Sequence, residues 1–190
     1  MEPAHKSAPR VVITGGPFSG KTTLVEALAE RGFHTVPEAA ILVIEELKAE
    51  HGVEGQAEWR AAHPEEFQAL IVTKQLELEA AADRAGGDEP VFFDRGRLDG
   101  VAYCRIYGSA VPAPLEQACK SLPYTRVLLL DTLSRFERRS QSGRTSNRER
   151  SLAIKAALRD VYTEHGLKPI EVPEMSLEAR LEATLAALRI

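Results

Sequence analysis

Gly15-Gly16-Pro17-Phe18-Ser19-Gly20-Lys21-Thr22 is the stretch that decides the fold. It fits Gly, any four residues, Gly-Lys-Thr, the pattern of a loop that wraps a phosphate. Successive backbone N–H groups in such a loop converge on an anion, and the following helix points its positive end at the same spot. The pattern predicts that Gly15, Gly16, Pro17, Phe18, Ser19, Gly20, Lys21, Thr22 and Thr23 line a nucleoside triphosphate site. Within it, Lys21 reaches the β- and γ-phosphates and the Thr22 hydroxyl sits on Mg²⁺. The flanks supply the context this requires. Val11-Val12-Ile13 reads as a buried strand before the loop, and Thr23 to Glu30 as an amphipathic helix after it. The bland alternative is a glycine-rich turn without a ligand.

Outward from the loop the chain is an ordinary globular sequence. It has 190 residues, 44% hydrophobic and 27% charged, enough for one domain with a good core. Met1 to Arg10 has no apolar core and does not read as a secretory signal. Residues 1–9 are expected as a disordered tail before a single domain over 10–190. No run of about 18 apolar residues occurs, so no membrane span is expected. The two cysteines, Cys104 and Cys119, lack a CxxC spacing and predict a free-thiol, cytoplasmic protein. The net charge of −4 gives no basic footprint for nucleic acid.

Short apolar runs alternate with helical patterns. Strands are expected over Arg10–Thr14, Phe33–Val36, Val91–Asp94, Arg126–Leu130 and Pro169–Val172. Helices are expected over Gly20–Arg31, Glu38–Glu50, Glu65–Arg84, Leu98–Tyr107, Asn147–His165 and Ser176–Leu188. Strands apolar on both faces, such as Val127-Leu128-Leu129-Leu130, suit a parallel sheet covered by helices on both sides. The expected fold is therefore α/β: a doubly wound, five-stranded parallel sheet of the P-loop NTPase type. Ligands in that architecture sit at the carboxyl ends of the strands.

Three strand ends carry carboxylates, all expected to face one crevice. Asp94 closes Val91-Phe92-Phe93, the Walker-B position, where a carboxylate holds Mg²⁺ directly or through water. Its alternative is an N-cap before Arg97-Leu98. Arg95 could contact a phosphate or the acceptor, or lie on the surface. Glu38 follows strand two and could take a proton from an attacking hydroxyl. It could equally be a first-turn glutamate favoured by the helix dipole. Asp131 follows strand four.

Beyond Asp131 stand six arginines, Arg135, Arg138, Arg139, Arg144, Arg148 and Arg150, and no lysine, over residues 131–150. Guanidinium groups fork onto phosphate oxygens, so this segment reads as an arginine-rich lid over the triphosphate, with Arg139 and Arg144 as catalytic candidates. A solvated helical surface is the alternative; a nucleic-acid patch is disfavoured because aromatic interleaving is nearly absent. Trp59, Arg60 and His63 are expected in a loop, with Trp59 either over a planar acceptor or simply packed. Tyr103, Arg105 and Tyr107 are candidate liners of the acceptor site.

Ile13 to Pro17 with Lys21-Thr22-Thr23, Val36-Pro37-Glu38-Ala39, Phe92 to Gly96 and Ala102-Tyr103 together resemble one family. It is the group of small bacterial P-loop proteins carrying an AAA-type ATPase domain. These are similar to the ribosylnicotinamide kinase domain of the bifunctional NAD-biosynthesis regulator. The likeness runs from about Arg10 to Leu188 and includes Glu171-Val172-Pro173. A wider resemblance is to deoxynucleoside kinases. It implies Glu38 as general base, Asp94-Arg95 as the acid-Arg pair, and Arg135 to Arg148 as the lid. Those kinases carry Glu-Arg-Ser, where this chain has Gly96 as the third residue. Ring ATPases place a water-activating glutamate after the Walker-B aspartate, and here that position is Arg95. No Asn-Lys-x-Asp segment exists to read guanine.

These observations converge on an expectation of ATP- and Mg-dependent phosphoryl transfer to a hydroxyl of a small acceptor, a nucleoside-like one among the candidates. Lys21, Glu38, Asp94, Arg95 and lid arginines would carry it, with Thr22 and Asp94 on the metal. The alternative is a regulatory nucleotide-binding ATPase or GTPase switch that works through a protein partner.

Overall fold

A computed structural model of the chain describes residues 8–134 and 145–188. Its five strands are β1 (Arg10–Gly15), β2 (His34–Val36), β3 (Val91–Asp94), β4 (Arg126–Leu130) and β5 (Ile170–Val172). They form one sheet in the order β2-β3-β1-β4-β5, and every pairing is parallel. The helices are α1 (Lys21–Glu30), α2 (Ala39–Ala62), α3 (Pro64–Ala85), α4 (Arg97–Tyr107), α5 (Ala113–Cys119), α6 (Thr145–Glu164) and α7 (Leu177–Ala186).

Side chains alternate across each strand, so a strand apolar at every position must be buried on both faces. That is what forms. Val12, Val127 and Leu129 pack into a cluster with side chains of α3, α4, α5 and α6. Val11, Ile13, Phe92, Leu128 and Leu130 pack into the opposite cluster with α1 and α7. Cys104 and Cys119 are free and buried.

Two elements depart from the sequence expectation. Helix α2 is two helical segments: the first breaks at Gly52 (φ 77, ψ 174), close to the expected end at Glu50, and a second, not expected, resumes beyond it and runs to Ala62. Glycine tolerates that positive φ, and good helix formers lie on either side, so one helix ends there and another starts across the kink. Trp59 and Arg60 are thus helical, not in a loop, and His63 joins α2 to α3. Pro64 then opens α3 at a position where a missing N–H costs nothing. Helix α5 was not expected at all; it is short and opens with Pro at its first turn.

A buried polar network ties α3 to α4 and the approach to β4. Arg97 donates to Glu79 through Nε at 3.0 Å and Nη2 at 2.5 Å, and the Tyr124 hydroxyl donates to the same carboxylate at 2.5 Å. Glu79 is a buried charge with a full set of partners, the condition under which such a group is tolerated in a core.

Candidate active site

The loop after β1 ends in Gly20, at φ 76, ψ 23, which caps α1 without any side-chain hydrogen bond. The first turn of α1 holds no acid. Its early N–H groups therefore have no side-chain cap, the arrangement that receives an anion. Lys21 is buried, and its Nζ donates to Gly15 O at 3.1 Å, Gly16 O at 3.1 Å and Ser19 Oγ at 3.2 Å. The ammonium is thus held inside the mouth of the loop by acceptors of the loop itself. Thr22 and Thr23 are exposed at the helix start.

Parallel register brings the other strand ends to this loop. Ile13 pairs with Asp94 and Val36 with Phe93. Arg95 N donates to Ile13 O at 3.0 Å. Glu38, Asp94 and Arg95 consequently stand side by side, next to the loop. Asp94 is only 4% exposed, and its Oδ1 has no hydrogen-bond partner among the described residues. The N-cap alternative for Asp94 fails, because Gly96 occupies the cap of α4. Arg95 is a non-glycine residue at φ 74, a left-handed conformation of the kind that concentrates at functional sites. Its Nε lies 2.9 Å from Glu38 Oε1 but off the line of a hydrogen bond, so the pair is a charge contact. Its Nη1 donates to Asp99 Oδ1 at 3.0 Å, and its guanidinium carbon lies 5.3 Å from the Tyr103 ring centre. Glu38 caps α2 in an extended conformation and makes no side-chain capping bond, so its carboxylate belongs to Arg95 rather than to the helix.

Burial sets the electrostatics. It pushes the Lys21 ammonium down to about 8, and the Arg95 charge adds to the effect. Burial also lifts Asp94 to about 6, helped by the neighbouring Glu38 charge. Both groups are thus poised to be stabilised in their charged forms by an incoming counter-charge.

Three supporting residues escaped the sequence reading. Asp99 accepts from Thr14 Oγ1 at 2.6 Å, Gly96 N at 3.2 Å and the Tyr162 hydroxyl at 2.7 Å, as well as from Arg95. An acid three residues past the cap glycine was its only sequence signal. Ser151 on α6 donates to Pro17 O at 2.9 Å and shares a 2.7 Å hydrogen bond with Thr132. Arg180 on α7 donates through Nη1 to Ser19 O at 2.5 Å. Nothing local in the sequence marks either.

Beside the strand ends opens a cleft of about 630 Å³ between α2, α3 and α4. Ala40, Ile44 and Ala57 of α2 face Phe67, Ile71 and Val72 of α3 across it, and Tyr103 and Tyr107 of α4 line it too. Glu38 and Arg95 line this cleft as well. A mainly apolar chamber on which polar and charged groups such as Glu38, Arg60, Gln68 and Arg95 converge is the usual form of a small-molecule site.

Some expectations change here. Asp131 does not join the other carboxylates; it pairs with Lys155 of α6. Trp59 is not among the cleft residues and instead stacks between His51 and His63, at 5.9 and 4.9 Å between ring centres. Arg105 is drawn away by Glu164 at 2.7 Å. Tyr103 and Tyr107 do line the cleft. Of the expected lid, Arg135, Arg138, Arg139 and Arg144 lie outside the described residues, while Arg148 and Arg150 belong to α6.

A family model described as an AAA domain matches residues 10–180. A search of curated protein sequences finds no match. Among solved structures, that of deoxyadenosine kinase from M. mycoides with bound dCTP is similar, at TM-score 0.59 and 14% identity. The likeness covers 94% of this chain and 98% of that one, and it is a likeness of fold. No described helix is long and apolar enough to cross a membrane.

Proposed function

The chain belongs to the AAA domain family, and from that premise we propose that it transfers the γ-phosphoryl group of ATP to a hydroxyl of a small acceptor. The observation that carries this reading is the position of Glu38 and Arg95. They line the wall of a largely apolar cleft, and Arg95 also touches the phosphate loop at Gly15 O, so the pair borders two compartments. A hydrolase or a simple nucleotide switch needs no second chamber, and the residue after Asp94 is a cation that cannot activate water.

In this reading the loop amides and Lys21 hold the β- and γ-phosphates. The acceptor hydroxyl enters from the cleft side, and its oxygen attacks the γ-phosphorus. The bond from that phosphorus to the β–γ bridging oxygen breaks, ADP leaves with the electron pair, and the hydroxyl proton passes to Glu38. Arg95 would offset negative charge on the moving group while Asp99 fixes its fork. Thr22 and Asp94 would hold Mg²⁺, which supplies further charge neutralisation on the phosphates. The unpartnered, buried Asp94 Oδ1 fits that assignment. One carboxylate, one hydroxyl and substrate oxygens suit Mg²⁺. The deoxyadenosine kinase likeness favours a nucleoside among the candidate acceptors, and Arg135, Arg138, Arg139 and Arg144, which lie outside the described residues, would complete the donor side as a lid.

The test is acceptor-stimulated ADP release across a panel of small hydroxyl compounds, with nucleotide binding measured in parallel. Stimulation by at least one class is expected. Retained nucleotide binding with no stimulation by any acceptor would overturn the reading in favour of a switch or hydrolase.

A further inference from the structure

Arg60 lines the same cleft as Glu38, although both belong to the stretch of chain that forms α2. A straight helix would carry Arg60 roughly 30 Å from Glu38 at about 1.5 Å per residue. The bend at Gly52 is what returns it to the chamber. A methyl added at Gly52 would meet nothing within 4 Å, so the residue is required by its positive φ and not by crowding.

The arginine arrives with its orientation set. Its Nε donates to Gln56 Oε1 at 2.8 Å, and its guanidinium carbon lies 5.4 Å from the centre of the Phe67 ring. Among the described residues its two Nη nitrogens have no hydrogen bond and no carboxylate within ion-pair reach. Gln68 lies on the same stretch of wall. The residue is 8% exposed, makes no hydrogen bond among the described residues, and lines the cleft, and its amide atoms are not among the fully buried ones left without a partner. A methyl at Gly100 would stand 3.1 Å from Gln68 Oε1 and 2.9 Å from Leu115 Cδ2, so Gly100 leaves that amide its place. The neighbouring Gln75 amide donates instead to Glu79 at 3.0 Å. Among the described residues, the α2–α3 part of the chamber therefore offers two guanidinium nitrogens and one amide without a hydrogen-bond partner, beside apolar side chains.

We infer that the cleft takes a hydroxyl compound bearing an anionic group, a carboxylate or a phosphate, which Arg60 and Gln68 hold while the hydroxyl faces Glu38. This rests on the reading of the cleft as an acceptor site. A fork of two N–H donors whose face is already stacked matches an oxyanion and gains little from a neutral alcohol. The preformed stack lowers the ordering cost of binding.

The test uses matched pairs: short hydroxy acids beside their amides, and hydroxyalkyl phosphates beside the phosphate-free alcohols. Binding is followed by the fluorescence of Trp59, the one tryptophan of the chain and the residue before Arg60. ADP release with Mg·ATP is measured on the same panel. The anionic members should bind about tenfold or more tightly than their partners, and Arg60→Gln should erase the difference. Arg60→Lys should restore it in part, and circular dichroism of each variant checks the fold. Which pair responds separates a carboxylate from a phosphate ligand. Equal or tighter binding of the neutral members, discrimination that survives in Arg60→Gln, or no binding by any anionic member would overturn the inference. Anionic binding without stimulated ADP release would sustain it and overturn the phosphotransfer reading. Stimulation by neutral members alone would do the reverse.

Discussion

Glu38 Oε1 and Arg95 Nε meet at 2.9 Å across the ends of β2 and β3. Neither residue is fully buried, and both border the cleft. The carboxylate is therefore steered by a cation that is itself held by Asp99, and its direction does not depend on the helix it caps.

Glu38→Gln keeps the shape of this pair and removes the proton acceptor. The variant should bind ATP with unchanged affinity and lose about 10²–10⁴-fold in transfer to the acceptor. Nucleotide titration beside single-turnover ADP formation checks it. Full turnover in this variant would remove Glu38 from the chemistry.

Lys21→Ala should abolish acceptor-dependent ADP release, because the cation inside the loop is lost. The wild-type lysine also makes a prediction for protons. With its value lowered from 10.5 to about 8, the folded chain has released a proton that the unfolded chain retains between those limits. Stability from this group thus rises with pH across that window. An incoming triphosphate restores the charge, so nucleotide binding above pH 8 should take up a proton. Calorimetry in two buffers of different ionisation enthalpy measures that uptake, and equal heats at pH 9 would refute it.

Asp94 gives the opposite sign. Its carboxyl is lifted from 3.8 to about 6, so between those limits the folded protein holds a proton the unfolded chain has released. Stability from this group falls as pH rises through that window and stays lower above it. Asp94→Asn should therefore stabilise the nucleotide-free protein at pH 7 by up to about 3 kcal/mol and change it little at pH 4. The same variant should lose Mg²⁺-dependent transfer. Urea midpoints at the two pH values separate this outcome from a neutral surface substitution.

Gly16 touches α6 more closely than any side chain would allow. A methyl there would stand 2.5 Å from Ser151 Oγ and 2.6 Å from Ser151 O. Gly16→Ala should cost on the order of 1–3 kcal/mol of stability and weaken nucleotide binding together, because the loop or the helix must move. A melt in the presence and absence of nucleotide reads both effects, and unchanged values would mean that the loop is not braced by α6.

The sequence by itself determined the sheet and the phosphate loop. Both are written locally: apolar runs such as Val127 to Leu130 demand burial on two faces, and Gly15 to Thr22 forms its cradle from consecutive backbone N–H groups. It also brought Glu38, Asp94 and Arg95 into view, because parallel strands end at one edge. Tertiary structure decided the rest. Parallel register, which no single segment encodes, set Arg95 between Glu38 and Asp99. Ser151 and Arg180 reach the loop from helices more than a hundred residues away, so neither carries a local mark. The clearest case is α2: its composition forecast a helix, then a loop. The non-helical backbone at Gly52 instead ended one helix and let a second carry Arg60 back toward Glu38, a direction fixed by packing and invisible to periodicity.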